Sequence, residues 1–80
     1  MFSREIFAAR IRQLRMENNL SQTEFGQLFG ISKQQVSDME RGRRTTTIEQ
    51  LYAIAEHFNV TSDYLIGLAT LEVNSRPSEP

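Results

Sequence analysis

The sequence lacks residues on which whole classes of protein depend. Its 80 residues include no cysteine and only two prolines. Without cysteine there is no disulfide framework, no thiolate zinc site and no cysteine nucleophile, so we expect a cytoplasmic protein. No apolar run approaches the roughly 18 residues that a transmembrane helix needs, and Arg4 and Glu5 interrupt the start of the chain where a signal peptide would be apolar. We therefore expect a soluble protein without a membrane partner.

Patterns typical of catalysis or metal binding are missing as well. A chain of this length buries only about 60% of its unfolded surface, which leaves no room for a large catalytic cavity beside the core. The one histidine, His57, has no second histidine or cysteine to complete a metal site. No nucleophile elbow, P-loop or glycine-rich phosphate loop occurs. We expect no enzyme activity, no cofactor and no metal.

Positive charge is not in excess, but it is unevenly distributed. The formal net charge is -1. Residues 1–44 hold eight arginines or lysines against five acids, a charge of +3, whereas residues 45–80 hold one arginine against five acids, a charge of -4. By itself so modest a split is typical of an ordinary solvated surface. It would support contact with phosphates only if a motif placed the positive half against them.

The segment from Ser21 to Gly30 carries the signals of a short helix. Ser21 followed three residues later by Glu24 is a capping box, in which each side chain satisfies a backbone N–H of the first turn. Gly30 is suited to the left-handed conformation that ends a helix. Apolar residues recur between them at helical spacing, at Phe25, Leu28 and Phe29.

A second helix is predicted to begin within three residues of that glycine. Ser32 and Gln35 repeat the capping-box pattern, and Gly42 ends the helix. Only Val36 and Met39 are strongly apolar inside it, so one narrow stripe is buried. The polar residues are predicted to face outward: Lys33, Gln34, Ser37, Asp38 and Arg41.

The rest of the chain predicts three further helices and no sheet. Phe7, Ile11 and Leu14 give a first helix one apolar face. Thr47 with Gln50 forms a third capping box. The helix that follows it has a broad apolar face, made of Ile48, Leu51, Tyr52, Ile54, Ala55 and Phe58. Thr61 is a suitable cap for a last helix, which continues the core pattern through Tyr64, Leu65 and Leu68.

These features together resemble the phage repressor and Cro type of helix-turn-helix domain. The resemblance runs from about Phe7 to Gly67 and includes the small residue Gly26, the turn glycine Gly30 and the apolar residue after it. The family usually has alanine where this chain has Gly26, which should weaken the helix by about 0.5–1 kcal/mol. The family also usually has a proline in the loop where this chain has three threonines, so that loop is expected to be more mobile.

The resemblance implies an all-α fold, a compact five-helix bundle of lambda-repressor-like type with the helix-turn-helix formed by helices 2 and 3. We expect a DNA-binding domain over residues 1–68 and a flexible tail or linker over residues 69–80. The function implied is sequence-specific binding of double-stranded DNA, with helix 3 in the major groove, by a bacterial or phage transcriptional repressor.

Residue roles follow from this placement. Side chains on the outer face of helix 3 are expected to contact bases: Lys33, Gln34, Ser37 and Asp38. The alternative for Asp38 is a pair with Arg41. Phosphate contacts are expected from Gln22, Arg41, Arg43, Arg44 and Thr45. Arg41 could serve either to position or to specify, and plain solvation is the alternative for the three arginines. The family pattern implies a largely buried ion pair between Arg15 and Glu40.

One recognition helix reads few base pairs, so a homodimer on a palindromic operator is expected. Candidate dimer contacts are Leu65, Leu68 and Leu71, with Phe2 and Ile6 off the main stripe of the first helix; core packing or incidental exposure is equally plausible for them. Two other interpretations stay open: a protein-interaction module of antitoxin-like or adaptor type with secondary DNA binding, and the amino-terminal part of a longer regulator.

Overall fold

The computed structural model describes residues 3–67 and places five α-helices in them. Their bounds are α1 Arg4–Glu17, α2 Gln22–Phe29, α3 Lys33–Glu40, α4 Ile48–Phe58 and α5 Ser62–Ile66. No strand occurs among these residues, which confirms the all-α, five-helix prediction. The predicted boundary at residue 68 and the expected tail over residues 69–80 lie outside the described residues. No helix in the described part of the chain is both long and apolar enough to span a membrane.

Local capping explains where the motif helices begin. Ser21 accepts from the backbone N–H of Glu24 while the Glu24 carboxylate accepts from the N–H of Ser21, and Ser32 and Gln35 repeat the arrangement. Both predicted capping boxes are therefore present, and α2 ends at Gly30 with φ 69°. At α4 the box is only half formed. Thr47 accepts from the N–H of Gln50, but the Gln50 side chain bonds to the hydroxyl of Thr46.

The core is built from all five helices: α1 packs against α3 and α5, α2 against α3 and α4, and α4 against α5. Its largest side chains have less than 2% exposure or close to it: Phe7, Ile11, Leu14, Phe25, Val36, Met39, Ile54 and Leu65. Phe25 stacks on Phe58 with ring centroids 5.9 Å apart, which joins α2 to α4. This packing presents α3 as one edge of the bundle, with its apolar stripe inward.

Three apolar residues of the predicted faces are not in the core. Ile48 is 85% exposed, Tyr52 60% and Leu28 46%. Helical spacing groups residues onto one face, but burial requires a neighbouring element to cover that face. Ile48 and Tyr52, in the first half of α4, stay mostly exposed, so the predicted apolar face there was too broad.

The packing around Gly26 explains why a residue without a Cβ occupies this position, which the sequence alone did not show. A Cβ placed on it would lie 2.4 Å from the carbonyl oxygen of Ile31 and 3.3 Å from its carbonyl carbon. The turn between α2 and α3 thus passes directly against the α2 backbone, and Ile31 N–H donates back to the carbonyl of Gly26 at 2.9 Å. Alanine would clash with backbone atoms here, so the expectation that glycine merely weakens the helix was incomplete.

Candidate nucleic-acid interface

The amino-terminal turn of α3 is presented to solvent. Lys33 and Gln34 are both exposed, and they follow directly on the Ser32 cap that fixes the direction of the helix. On the inner side, Val36 and Met39 are buried against the core. The two side chains expected to read bases are therefore held outward by a helix whose opposite stripe is anchored.

Asp38 is linked to Gln34 and not to Arg41. The Gln34 Nε2 group donates to Asp38 Oδ1 at 3.0 Å, across one helical turn. The one ion pair among residues 3–67 joins Arg15 to Glu40. The alternative pair of Asp38 with Arg41 is therefore not formed. Asp38 is half-buried, and its contact orients the Gln34 amide.

Ser37 does not lie on the outer face, contrary to the prediction. It is 9% exposed and lies three residues before Glu40, so both share the flank of α3 that turns toward α1 and α2. Ser37 therefore does not share the exposed face on which Lys33 and Gln34 lie. The position of Ser37 along α3 does not by itself determine whether it is buried, because that depends on how α1 packs against α3.

The carboxyl end of α3 is closed by a Schellman motif. Gly42, with φ 76°, donates to the carbonyl of Met39, and Arg43 N–H donates to the carbonyl of Asp38 at 2.9 Å. A side chain would be strained at that φ, so glycine is favoured there. The motif turns the chain so that Arg43 and Arg44 follow it as exposed side chains, while Thr45 is half-buried.

Arg15 and Glu40 form a bidentate ion pair that joins α1 to the end of α3. Arg15 Nε lies 2.5 Å from Glu40 Oε2 and Nη2 lies 3.0 Å from Oε1. The remaining Nη1 donates to the carbonyl of Leu20 at 2.9 Å. Their side chains are 15% and 6% exposed. The hydrogen bond that Arg15 donates to Glu40 raises the pKa of Arg15, burial lowers it, and the negative charge of Glu40 raises it further.

Gln22 lies beside this pair at the start of α2. Its Nε2 donates to Glu40 Oε1 at 3.2 Å, and the side chain is half-buried. The backbone N–H groups of Gln22 and of the next residue belong to the first turn and have no intrahelical acceptor. Gln22 is thus placed to offer a backbone donor, while its side-chain amide contacts the ion pair.

Sequence reasoning missed Arg12. It is exposed on α1 and lines one polar cavity of about 260 Å³ between α1, α2 and α3, together with Arg15, Gln22, Ser37, Glu40 and Arg41. Its position one turn before Arg15 was visible in the sequence, but its proximity to α3 was not.

The candidate dimer contacts need correction. Leu65 is 0% exposed and belongs to the core, so it offers no surface to a second chain. Leu68, Leu71 and Phe2 lie outside the described residues. Ile6 is 37% exposed. No cluster of metal-ligating side chains occurs in the part of the chain that the structure describes.

Comparison with known proteins places this geometry among DNA-binding regulators. A family model described as helix-turn-helix, HTH_3, matches residues 11–65. The uncharacterized HTH-type transcriptional regulator y4dJ of Sinorhizobium fredii is 35% identical over 66 residues, which are 82% of this chain and 86% of that protein. Control protein C.SmaI of Serratia marcescens is 30% identical over 63 residues, 79% of this chain and 75% of that protein. The P22 c2 repressor, solved in complex with synthetic operator 9T, matches with a TM-score of 0.70 and 28% identity, over 75% of this chain and 91% of that one.

Proposed function

We propose a mode of DNA binding for this chain. The chain belongs to the helix-turn-helix family, whose model matches residues 11–65. The chain is a sequence-specific DNA-binding regulator of transcription, and we infer that it acts as a repressor in the cytoplasm with α3 in the major groove. The likeness to the P22 c2 repressor on its operator supports that orientation.

The observation that carries this proposal is the unneutralised positive end of α3. The first turns of the other four helices each hold an acid, at Glu5, Glu24, Glu49 and Asp63. The first turn of α3 holds none and carries Lys33 instead. A cation at a helix amino terminus opposes the helix dipole and costs a few tenths of a kcal/mol or more. Binding of a polyanion would offset that cost.

The base contacts are proposed for Lys33 and Gln34. Lysine can donate to O6 and N7 of guanine, and glutamine can pair with N6 and N7 of adenine. Gln34 Nε2 carries two hydrogens, of which Asp38 takes one. The second hydrogen and the side-chain oxygen stay available for adenine, so Asp38 acts by orienting Gln34 and does not need a base of its own.

The phosphate contacts are proposed to position α3 without reading sequence. Arg43 and Arg44 follow the Schellman turn as exposed cations, and Thr45 comes directly after them. At the other side of the motif, the first turn of α2 offers backbone donors next to Gln22. Arg41 lies between these two sets at the end of α3.

Two copies are proposed to bind an inverted repeat, with half-sites about 34 Å apart. Ile48 and Tyr52 lie one turn apart on α4 and are 85% and 60% exposed. Within residues 3–67 we propose them, in place of Leu65, as the contact between the two copies. Substituting Ile48→Asp should leave the fold intact and weaken binding to the full repeat more than binding to one half-site.

The experiment is selection of duplexes from a randomised pool at near-physiological salt, followed by the salt dependence of binding to the selected duplex. An inverted repeat bound with a slope of about -0.9 per neutralised phosphate would support the proposal. A single half-site would reject the dimer and keep the DNA-binding role. No enrichment by folded protein would favour the protein-interaction module, for which the exposed Ile48 and Tyr52 would be the first surface to test.

A further inference from the structure

We propose that the polar cavity lined by Arg12, Ser37 and Arg41 binds one phosphate of the DNA backbone, with Arg12 and Ser37 as donors that complete the site. The inference rests on the proposed function and adds to it a contact from α1. It also assigns Ser37 a role that differs from the base contact expected from its position on α3.

The charge of the cavity favours a single anion. Three arginines and one carboxylate line it, and the carboxylate of Glu40 is held by both Nε and Nη2 of Arg15. The charges of Arg12 and Arg41 are left without a carboxylate partner in the cavity, and both side chains are exposed. Because Glu40 is already engaged by Arg15, it does not compensate these two cations, and a phosphate would.

Ser37 lies buried beside these cations. It is 9% exposed and lines the cavity. Among residues 3–67 its hydroxyl makes no hydrogen bond. A buried hydroxyl without a partner is destabilising, and such groups are rare in folded proteins. An oxygen acceptor in the cavity would satisfy it.

The backbone around the cavity adds donors of the same kind. Gln22 opens α2, an eight-residue helix, and its N–H has no intrahelical acceptor. The side-chain amide of Gln22 is held to Glu40 at 3.2 Å, which places the start of α2 against the end of α3. A phosphate there would receive hydrogen bonds from three helices at once, and so would fix α1, α2 and α3 as one unit on the DNA.

The test uses the selected duplex with single phosphates replaced, one at a time, by neutral methylphosphonate. In the wild-type protein, one replacement per half-site should weaken binding because it removes the charge held in the cavity. Arg12→Gln should weaken binding to the unmodified duplex about tenfold, lower the salt slope by about 0.9, and abolish the sensitivity to that one replacement. Ser37→Ala should weaken binding about threefold.

The matched variant is Arg43→Gln, which removes the same charge from the proposed far-side contact. It should abolish sensitivity to a different phosphate and leave the cavity phosphate sensitive. Arg12→Gln could leave unchanged the set of phosphates whose replacement weakens binding, or it could change the same phosphate that Arg43→Gln changes. Either result would overturn the cavity assignment and leave the DNA-binding role in place. If the folded wild-type protein binds no duplex, the proposed function and the cavity assignment fail together.

Discussion

The two ends of α3 are held by different means. At the carboxyl end, Glu40 is 6% exposed, accepts two hydrogen bonds from Arg15, and is followed by a Schellman turn. At the amino end, a capping box with Ser32 holds the backbone, and Lys33 and Gln34 extend into solvent. The helix is thus anchored to the bundle at one end and presented at the other.

This difference separates stability from recognition along a helix of eight residues. Substitutions at Glu40, which is paired with Arg15, should change the free energy of unfolding and lower affinity only through unfolding. Substitutions at the amino end should change affinity and base preference and leave unfolding unaffected.

The largest effect is expected for Glu40→Ala. It leaves the guanidinium of Arg15 mostly buried without its partner, which should cost about 3–5 kcal/mol of folding free energy. For a domain of this size that lowers the melting temperature by more than about 10 °C. Thermal unfolding followed by circular dichroism measures it, and an unchanged melting temperature would show that the pair does not anchor α3.

The double variant Arg15→Met with Glu40→Leu is the matched control. Replacing both partners with apolar side chains removes the stranded charge, so much of the lost stability should return. If the double variant is as unstable as Glu40→Ala alone, shape and not charge explains the loss.

Gly26→Ala should be the next largest change. The Cβ would lie 2.4 Å from the carbonyl oxygen of Ile31, so the turn must shift, at a cost of about 1–3 kcal/mol. Helix propensity alone predicts the opposite sign, a gain of about 0.5–1 kcal/mol. Urea unfolding decides between them, with Gln27→Ala, at an exposed position of the same helix, as the control expected to change stability by only a few tenths of a kcal/mol.

Lys33→Ala should act on DNA and not on the fold. Removing a cation from the positive end of α3 should leave stability the same or raise it by about 0.3 kcal/mol. Affinity for the selected duplex should fall by about 1–3 kcal/mol through loss of one base contact. Titration of labelled duplex measures this; a loss of stability that accounts for the weaker binding would break the division between the two ends.

The smallest effect concerns pH. The pKa of Arg15 is raised in the folded state, so the stability contributed by its protonated form is complete below the unfolded pKa and is lost only as pH rises through the folded one. The stability difference between the wild type and the Arg15→Met, Glu40→Leu variant should therefore be flat between about pH 7 and about pH 10. Urea unfolding at several pH values measures it, and a decline over that range would contradict the assignment.

Local signals predicted the motif well because they need no knowledge of neighbours. The capping boxes and Gly30 fix the bounds of α2 and α3 through contacts within four residues. Packing decided the rest. Ser37 is buried because α1 and α2 lie over that flank, and Ile48 is exposed because nothing described covers it. The tight turn at Gly26 and the cavity at Arg12 depend on how separate helices approach each other, which helical spacing does not encode.

Base preference of the Gln34→Ala variant is the most direct test of the central claim. The wild-type protein and this variant would be used to select duplexes from the same randomised pool, with melting temperatures measured on both. The account predicts an unchanged melting temperature and loss of preference at one base pair in each half-site, with the rest of the selected sequence retained. An identical preference in the variant would contradict the claim that the amino end of α3 reads DNA.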